Sequence, residues 1–188
     1  MQVIQQSFSH SSSSFMIGKI QGNIVDLLYA PLSAAEVTIA VSLASVTRAV
    51  MIAIISIITF MLIIEIQITN YLALIAFTFL SSFILGNVGI IAGLWSEKFD
   101  NMATVTNFVI IPLSFLSGTF YSIERLPGLL KTISEFNPFF YMIDGFRYSF
   151  IGQADGSITV GLVYLTILSV VSLFITYLLY KNGYKIKS

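Results

Sequence analysis

The sequence predicts an all-α membrane protein with four transmembrane helices, a cytoplasmic amphipathic helix and an outer re-entrant helical hairpin. Of its 188 residues, 56% are hydrophobic and only 10% are charged, and the mean hydropathy is +0.91. A soluble domain carries about 25% charged residues, so this chain lacks the charge to cover a water-facing surface. Its apolar stretches also reach the roughly 20 residues that a helix needs to cross a bilayer.

Four stretches qualify as transmembrane helices, each with ends placed to within a few residues. They are residues 37–64, 71–94, 102–121 and 158–180. We therefore divide the chain into a cytoplasmic segment, residues 1–36, and a transmembrane domain, residues 37–188, which also contains the outer segment 122–152. Small residues in the second span allow close helix approach: Ser81, Ser82, Gly86, Gly89 and Gly93. Pro112 is expected to kink the third span.

The basic residues near the span ends predict the orientation. They are Lys19, Lys98, Lys181, Lys185 and Lys187. Because cytoplasmic loops carry an excess of Lys and Arg, these ends should face the cytoplasm, and residues 122–157 should lie outside. The sequence has no cysteine, which fits a multi-pass protein of a bacterial inner membrane.

Arg48 is the one charge that clearly interrupts a predicted span. It either snorkels to the inner interface or faces the bundle interior, where it contacts substrate or a partner helix.

Residues 14–31 are predicted to form a short amphipathic helix at the cytoplasmic interface. Its apolar residues recur at spacings that place them on one face: Ile17, Ile20, Ile24, Leu27 and Leu28. Lys19, Asn23 and Asp26 fall on the opposite face, and Pro31 ends the helix. This helix is either an anchor or an element that transmits movement from a soluble partner. The serine run before it is expected to be a solvated linker and cap.

The outer segment is predicted to be a helix–break–helix. Pro127-Gly128 is a turn signal, and Asn137-Pro138 restarts a helix with Asn as the N-cap and Pro as the first helical residue. The aromatic residues that follow suit a membrane interface. Asp144 and Arg147 are three apart and are expected to pair. The segment either caps the bundle or gates an exit path.

Composition and motifs also exclude several kinds of chemistry. The net charge is zero, so nothing favours nucleic acid as a partner. With a single histidine, His10, and no cysteine, no His/Cys metal cluster is expected. The phosphate loop G-x-x-x-x-G-K-[ST] is absent from the sequence. We expect no catalytic residue, cofactor or metal on this chain, and we expect that it is not an enzyme.

Two stretches resemble the type-2 ABC transporter permeases, the membrane subunits of bacterial multidrug, polysaccharide and nodulation-factor exporters. The first, GKIQGNIVDLLYAPLSAAEV (Gly18 to Val37), resembles the family's cytoplasmic loop with its coupling helix. The second, PLSFLSGTFYSIERLPGLLKTISEFNPFFYMIDGFRYSFIG (Pro112 to Gly152), resembles the family's fifth span and outer re-entrant helices. The chain is most similar to the multidrug and lipopolysaccharide-type subgroup.

The resemblance implies a permease subunit that exports a drug, lipid or glycan-type substrate. It would pair with a second permease copy and with ATP-binding cassette subunits, and these subunits would bind the ATP. Membrane lipid would surround the permease. Residues implied to couple to the ATP-binding subunit are Gly18, Lys19, Ile20, Asp26, Leu27, Leu28 and Pro31. Residues implied in the re-entrant gate are Asn137, Pro138, Tyr141, Asp144, Gly145 and Arg147.

The chain departs from the family in one respect. Family members have six spans, and the four predicted here correspond to the third to sixth. The expectation is a truncated or split permease that lacks the first two spans. The alternatives are a non-transporting membrane anchor or assembly protein, a degenerate permease remnant, and half of a secondary carrier. A carrier should show an inverted repeat and buried ionisable groups, and the sequence shows neither.

Overall fold

The computed structural model describes residues 1–23, 31–64, 67–120 and 127–183, and all regular structure in these ranges is helical. The described elements are α1 (Gln2–Ile20), α2 (Ala34–Met61), α3 (Tyr71–Trp95), α4 (Phe99–Val105), a π-helical turn (Thr106–Ile110), α5 (Ile111–Phe115), α6 (Gly128–Phe136), α7 (Pro138–Ile151) and α8 (Ile158–Lys181). The predicted all-α class is confirmed.

Helices α2, α3 and α8 are each long and apolar enough to cross a membrane, which confirms three of the four predicted spans. Their starts are capped by side chains. Ser33 Oγ accepts the Glu36 N–H, and the Glu36 carboxylate accepts the Ser33 N–H in return, which satisfies two amides at the start of α2. Asn70 caps α3 in the same way, through the N–H of Ala73. Helix α3 is central, with 56% of its most apolar window buried against 28% for α2 and 22% for α8.

The predicted span 102–121 differs from the structure. It is not among the described helices that are long enough to cross a membrane. Helical residues run from Phe99 to Phe115, and the π-helical turn interrupts them, with the Ile111 N–H donating to the Thr106 carbonyl. Pro112 has no N–H and cannot continue the regular α-helical bonding, so the irregularity expected around it occurs as this turn.

Helix α1 corrects the prediction for the N-terminal segment. The residues expected to be a solvated serine linker form a helix that packs along α3 and α2. Phe8 is 1% exposed and Ser12 is fully buried. The Ser12 hydroxyl donates to the Phe8 carbonyl at 2.9 Å, so its burial leaves no unpaired group. Serine runs are typical of linkers in water. Between helices, however, the small serine side chain permits close packing.

The contact between α1 and α3 depends on glycine. A Cβ at Gly89 would lie 2.6 Å from the Phe8 carbonyl oxygen, and one at Gly93 would lie 2.8 Å from that of Ser12. Neither distance accommodates a side chain without moving backbone. The close approach predicted for these glycines is confirmed, and its partner is a helix that the sequence analysis did not predict.

The described helices form a bundle with two ends, which we call the inner and the outer end after the predicted orientation. At the inner end, α1, α3 and α8 finish and α2 begins. An apolar cluster joins them there, formed by Phe15, Val41, Ile90, Leu94, Leu179 and Tyr180. At the outer end, residues 1–4 lie beside Phe60 of α2 and Phe150 of α7 around a cavity. Helices α1, α3 and α8 therefore run in one direction and α2 runs in the other.

This arrangement changes the interpretation of residues 14–31. The helix predicted there begins at Gln2 and ends at Ile20, and residues 24–30 lie outside the described part of the chain. Only the C-terminal part of segment 1–36 lies at the inner end. The domain boundary at residue 36 and the cytoplasmic location of the inner end stay predictions.

Candidate functional site

The predicted coupling residues lie at the inner end as far as the structure describes them. Gly18, Lys19 and Ile20 form the last turn of α1, and Pro31 stands two residues before Ser33, the N-cap of α2. Asp26, Leu27 and Leu28 lie outside the described residues.

Lys19 connects two helices at this end. Its Nζ donates to the carbonyls of Leu94 at 2.6 Å, Ser96 at 3.1 Å and Gly93 at 3.4 Å. The last carbonyls of a helix have no partner within it and carry the negative end of the helix dipole, so an ammonium group is well placed there. Helical spacing alone places Lys19 on the polar face of an interfacial helix, whereas in the structure it holds the end of α1 to the end of α3.

The predicted break in the outer segment is confirmed at Asn137. Its side-chain oxygen accepts the Phe139 N–H at 3.0 Å, and Pro138 is the first residue of α7. The Asn137 Nδ2 also donates to the Leu113 carbonyl of α5 at 2.7 Å. One side chain therefore starts α7 and ties it to α5.

Asp144 is buried in the middle of α7, with 3% of its side chain exposed. Its two carboxylate oxygens accept the backbone N–H groups of Asp155, at 2.8 Å, and Gly156, at 2.9 Å. Burial raises the pKa of this carboxyl above its ordinary value, although the two N–H donors and Arg147 act in the opposite direction. Asp144 thus holds the loop between α7 and α8 against α7.

Arg147 completes this polar network. Its Nη1 lies 3.7 Å from the Asp144 carboxylate, which confirms the predicted pairing, but only 2.8 Å from the carboxylate of Asp155. Its Nη2 donates to the Gly118 carbonyl at 2.6 Å. Helical spacing could not reveal Asp155, because this residue stands in a loop that folds back onto α7. The Asp155-Gly156 dipeptide was the available signal for such a turn.

Tyr141 and Gly145 fit α7 against its neighbours. The Tyr141 ring lies 5.2 Å from the Tyr164 ring of α8, and the Tyr164 hydroxyl donates to the Phe136 carbonyl at 2.9 Å. Gly145 packs directly on the Phe77 ring of α3, where a Cβ would clash. Most of the predicted gate residues therefore contact neighbouring parts of the molecule: Asn137 bonds to α5, Gly145 packs on α3, Tyr141 contacts α8, and Asp144 and Arg147 both reach the loop between α7 and α8.

A cavity of about 700 Å³ lies beside this network at the outer end. Side chains of α2, α3 and α7 and the first residues of α1 line it, and most are apolar. Arg147 and Thr119 stand at its margin. The arrangement can shelter an apolar molecule, and no group of three or more His, Cys, Asp or Glu side chains suited to a metal occurs among the described residues.

Arg48 lies on a second cavity, an exposed groove between α1 and α2. Its Nη1 donates to the Ser14 hydroxyl of α1 at 3.0 Å. Arg48 is exposed on this groove and bonds to α1, and both predicted roles stay predictions.

Comparison with known proteins agrees with the resemblance seen in the sequence. The model of the ABC-2 type transporter family matches residues 1–151. The inner membrane transport permease YadH of Escherichia coli K12 is 29% identical over 188 residues, which are 100% of this chain and 73% of that protein. The YadH proteins of Escherichia coli O157:H7 and Shigella flexneri give the same values. No solved structure matches the chain.

Proposed function

The chain belongs to the ABC-2 type transporter family, and we propose that it is the permease subunit of an ATP-driven exporter of a drug, lipid or glycan-type substrate. It is a multi-pass inner membrane protein. The observation that carries the proposal is the alignment of all 188 residues to a transport permease, together with the family match over residues 1–151.

In this proposal the energy enters at the inner end. The sequence has no phosphate loop, so ATP would be hydrolysed on a separate ATP-binding cassette subunit. That subunit would contact the segment between α1 and α2, through Gly18 to Ile20, Asp26 to Leu28 and Pro31. A push on this segment would reach α3 directly, because Lys19 bonds to two of its last carbonyls and to that of Ser96, its C-cap. It would also reach α8 through the inner apolar cluster around Phe15.

At the outer end, α6 and α7 would act as the gate of the exit path. Asn137, Asp144 and Arg147 hold α7 to α5, to the loop before α8 and to the Gly118 turn respectively. Opening would require these polar contacts to break, and the apolar cavity beside them offers space for the substrate. A second permease copy would complete the pathway, and lipid would cover the exposed apolar side chains of α2 and α8.

The experiment is copurification from membranes with a candidate ATP-binding cassette subunit. The variant Asp26→Ala/Leu27→Ala should lose most of the associated subunit, because both changes lie in the proposed contact. Lys131→Ala, an exposed charge on α6 at the outer end, is the matched control and should retain it. If the double variant copurifies with as much ATP-binding subunit as wild type does, the coupling role is overturned. A stable complex that hydrolyses ATP but moves no amphiphile would favour a membrane anchor or assembly protein.

A further inference from the structure

We infer that the groove between α1 and α2 binds an anionic headgroup, a phosphate or carboxylate on an amphiphile, through Arg48. Arg48 lies near the middle of the 28-residue α2, which is one of the helices able to cross the membrane. A charged side chain at membrane depth is expensive unless it pairs or reaches water, so such a residue marks a functional site.

The groove has room for a headgroup. Its cavity is about 420 Å³, within the usual range for ligand pockets. The polar side chains around it are Ser11, Ser14, Asn23, Ser45 and Arg48. Gly18, Ala40 and Ala44 leave the remaining wall open because their side chains are small or absent.

Arg48 is aimed along this groove toward the inner end. Side chains in a helix lean toward its N-terminus and cover the preceding turn, and the start of α2 lies at the inner end. Ala44 and Ser45 in the cavity wall form that preceding turn, and Val41 lies one turn further toward the inner end. The guanidinium is therefore placed where the head of an amphiphile lying among the bundle helices would reach it.

The groove as described does not neutralise this charge. A guanidinium has five N–H donors, and Ser14, a neutral hydroxyl, accepts one of them. Among the described residues that line the cavity, none is a carboxylate. Phosphate and carboxylate groups accept two parallel N–H bonds from arginine and supply the missing charge. Asp26 falls outside the described residues, so the test includes it.

The binding test uses the purified chain in neutral detergent and native mass spectrometry with phosphatidylglycerol or phosphatidylcholine as the probe. Wild type should retain phosphatidylglycerol preferentially. Arg48→Gln should weaken that binding about tenfold, the size expected for loss of a charge-assisted hydrogen-bonded pair. Arg48→Lys should keep part of it, because charge remains and the planar fork is lost. Ser14→Ala should have a smaller effect.

Lys131→Gln is the charge-matched control, since Lys131 is exposed on α6 at the other end, and it should bind as wild type does. Size-exclusion profiles of Arg48→Lys and Arg48→Gln check that both variants fold. Equal phosphatidylglycerol binding by Arg48→Gln and wild type would overturn the site. So would a rise in binding for Asp26→Asn with no effect of Arg48→Gln, because Asp26 would then govern the groove. A change of oligomeric state in Arg48→Gln without loss of lipid would assign Arg48 to an interface between copies and also overturn it.

A second arm separates resident lipid from cargo, and this arm alone rests on the proposed function. Dodecyl phosphate should compete with phosphatidylglycerol at the Arg48-dependent site, whereas inorganic phosphate without a chain should compete weakly. In the complex with the ATP-binding subunit, release of dodecyl phosphate on ATP addition assigns the site to cargo. Phosphatidylglycerol that stays bound through ATP hydrolysis assigns it to a resident lipid. Both results support the anionic site, and the first arm stands even if no ATP-binding subunit associates.

Discussion

The inner and outer ends of the bundle hold their helices together by different means. At the inner end, helices meet helices directly, through glycine contacts, an apolar cluster and one lysine on three carbonyls. At the outer end, α7 also packs on α3 and α8 through an apolar cluster that includes Phe77, Met142 and Leu165. In addition, polar side chains of α7 reach backbone groups of loops and turns. The two ends therefore differ mainly in their polar contacts, which join helix ends at the inner end and tie α7 to loops and turns at the outer end.

The largest effect should come from breaking the seam between α1 and α3. Gly89→Val places side-chain atoms where even a Cβ would lie 2.6 Å from the Phe8 carbonyl. We expect a loss of about 3 kcal/mol, at the upper end of ordinary overpacking, because backbone must move. Thermal unfolding in detergent measures it. The control is Gly18→Ala, since nothing lies within 4 Å of a Cβ there. Equal melting of the two variants would show that the seam is not tight.

The next effect tests the inner connection. Lys19→Met keeps the apolar stem and removes the ammonium group, at an expected cost of about 2 kcal/mol for charge-assisted hydrogen bonds. Amide hydrogen exchange in the last turns of α1 and α3 should accelerate, while exchange in α7 should stay unchanged. Lys98→Met, an exposed lysine near the same end, is the control. Acceleration spread evenly over the molecule would refute a local connection.

The outer network should respond more weakly to loss of one carboxylate. Asp144→Asn leaves one of the Asp155 and Gly156 N–H groups facing an amide NH₂. We expect a loss of about 1–2 kcal/mol, the cost of one unsatisfied donor. Denaturant unfolding measures the change, with the exposed Glu135→Gln as the control.

This variant also sharpens the comparison between the ends. Association with the ATP-binding subunit should survive Asp144→Asn, because the change lies at the end opposite to the proposed contact. Loss of association in Asp144→Asn, at unchanged expression, would show that the two ends are not separate in function.

The smallest effect is expected for Tyr164→Phe. The Tyr164 hydroxyl donates to the Phe136 carbonyl but lies at an exposed position, so water can replace it. We expect a loss of about 0.5 kcal/mol in unfolding free energy, the low end for a single hydrogen bond. The ring contact with Tyr141 remains in the variant, and Tyr164→Ala provides the comparison. A large loss in Tyr164→Phe would mean that this bond holds α6 in place.

Much of the outer segment followed from local signals. Asn137 and Pro138 predicted the break between α6 and α7 because capping and the fixed φ of proline act within a few residues. The pairing of Asp144 with Arg147 followed from helical spacing. Asp155, which lies closer to Arg147 than Asp144 does, did not follow, because a loop residue eight positions along the chain can fold back in many ways. Gating by these residues stays a proposal.

The N-terminal segment shows the opposite case. Its serines predicted a linker, and Lys19 was assigned to a polar helix face. The linker prediction is wrong because it left out the surface of α3, and the same neighbour gives Lys19 its partners. The serines pack against Gly89 and Gly93 of α3. Lys19 donates to carbonyls at the end of the same helix.

By itself the sequence determined that this protein is a helical membrane protein of the ABC-2 family, and it located α2, α3 and α8. Length and apolarity suffice to locate these three helices, because the bilayer selects any helix that is long and apolar enough. The family followed instead from the two stretches Gly18 to Val37 and Pro112 to Gly152. Only the tertiary structure decided that α1 belongs to the bundle and that Lys19, Arg48 and Arg147 contact other elements. α1 is too polar to be found by hydropathy, and its place depends on the shape of the surface that α3 presents to it.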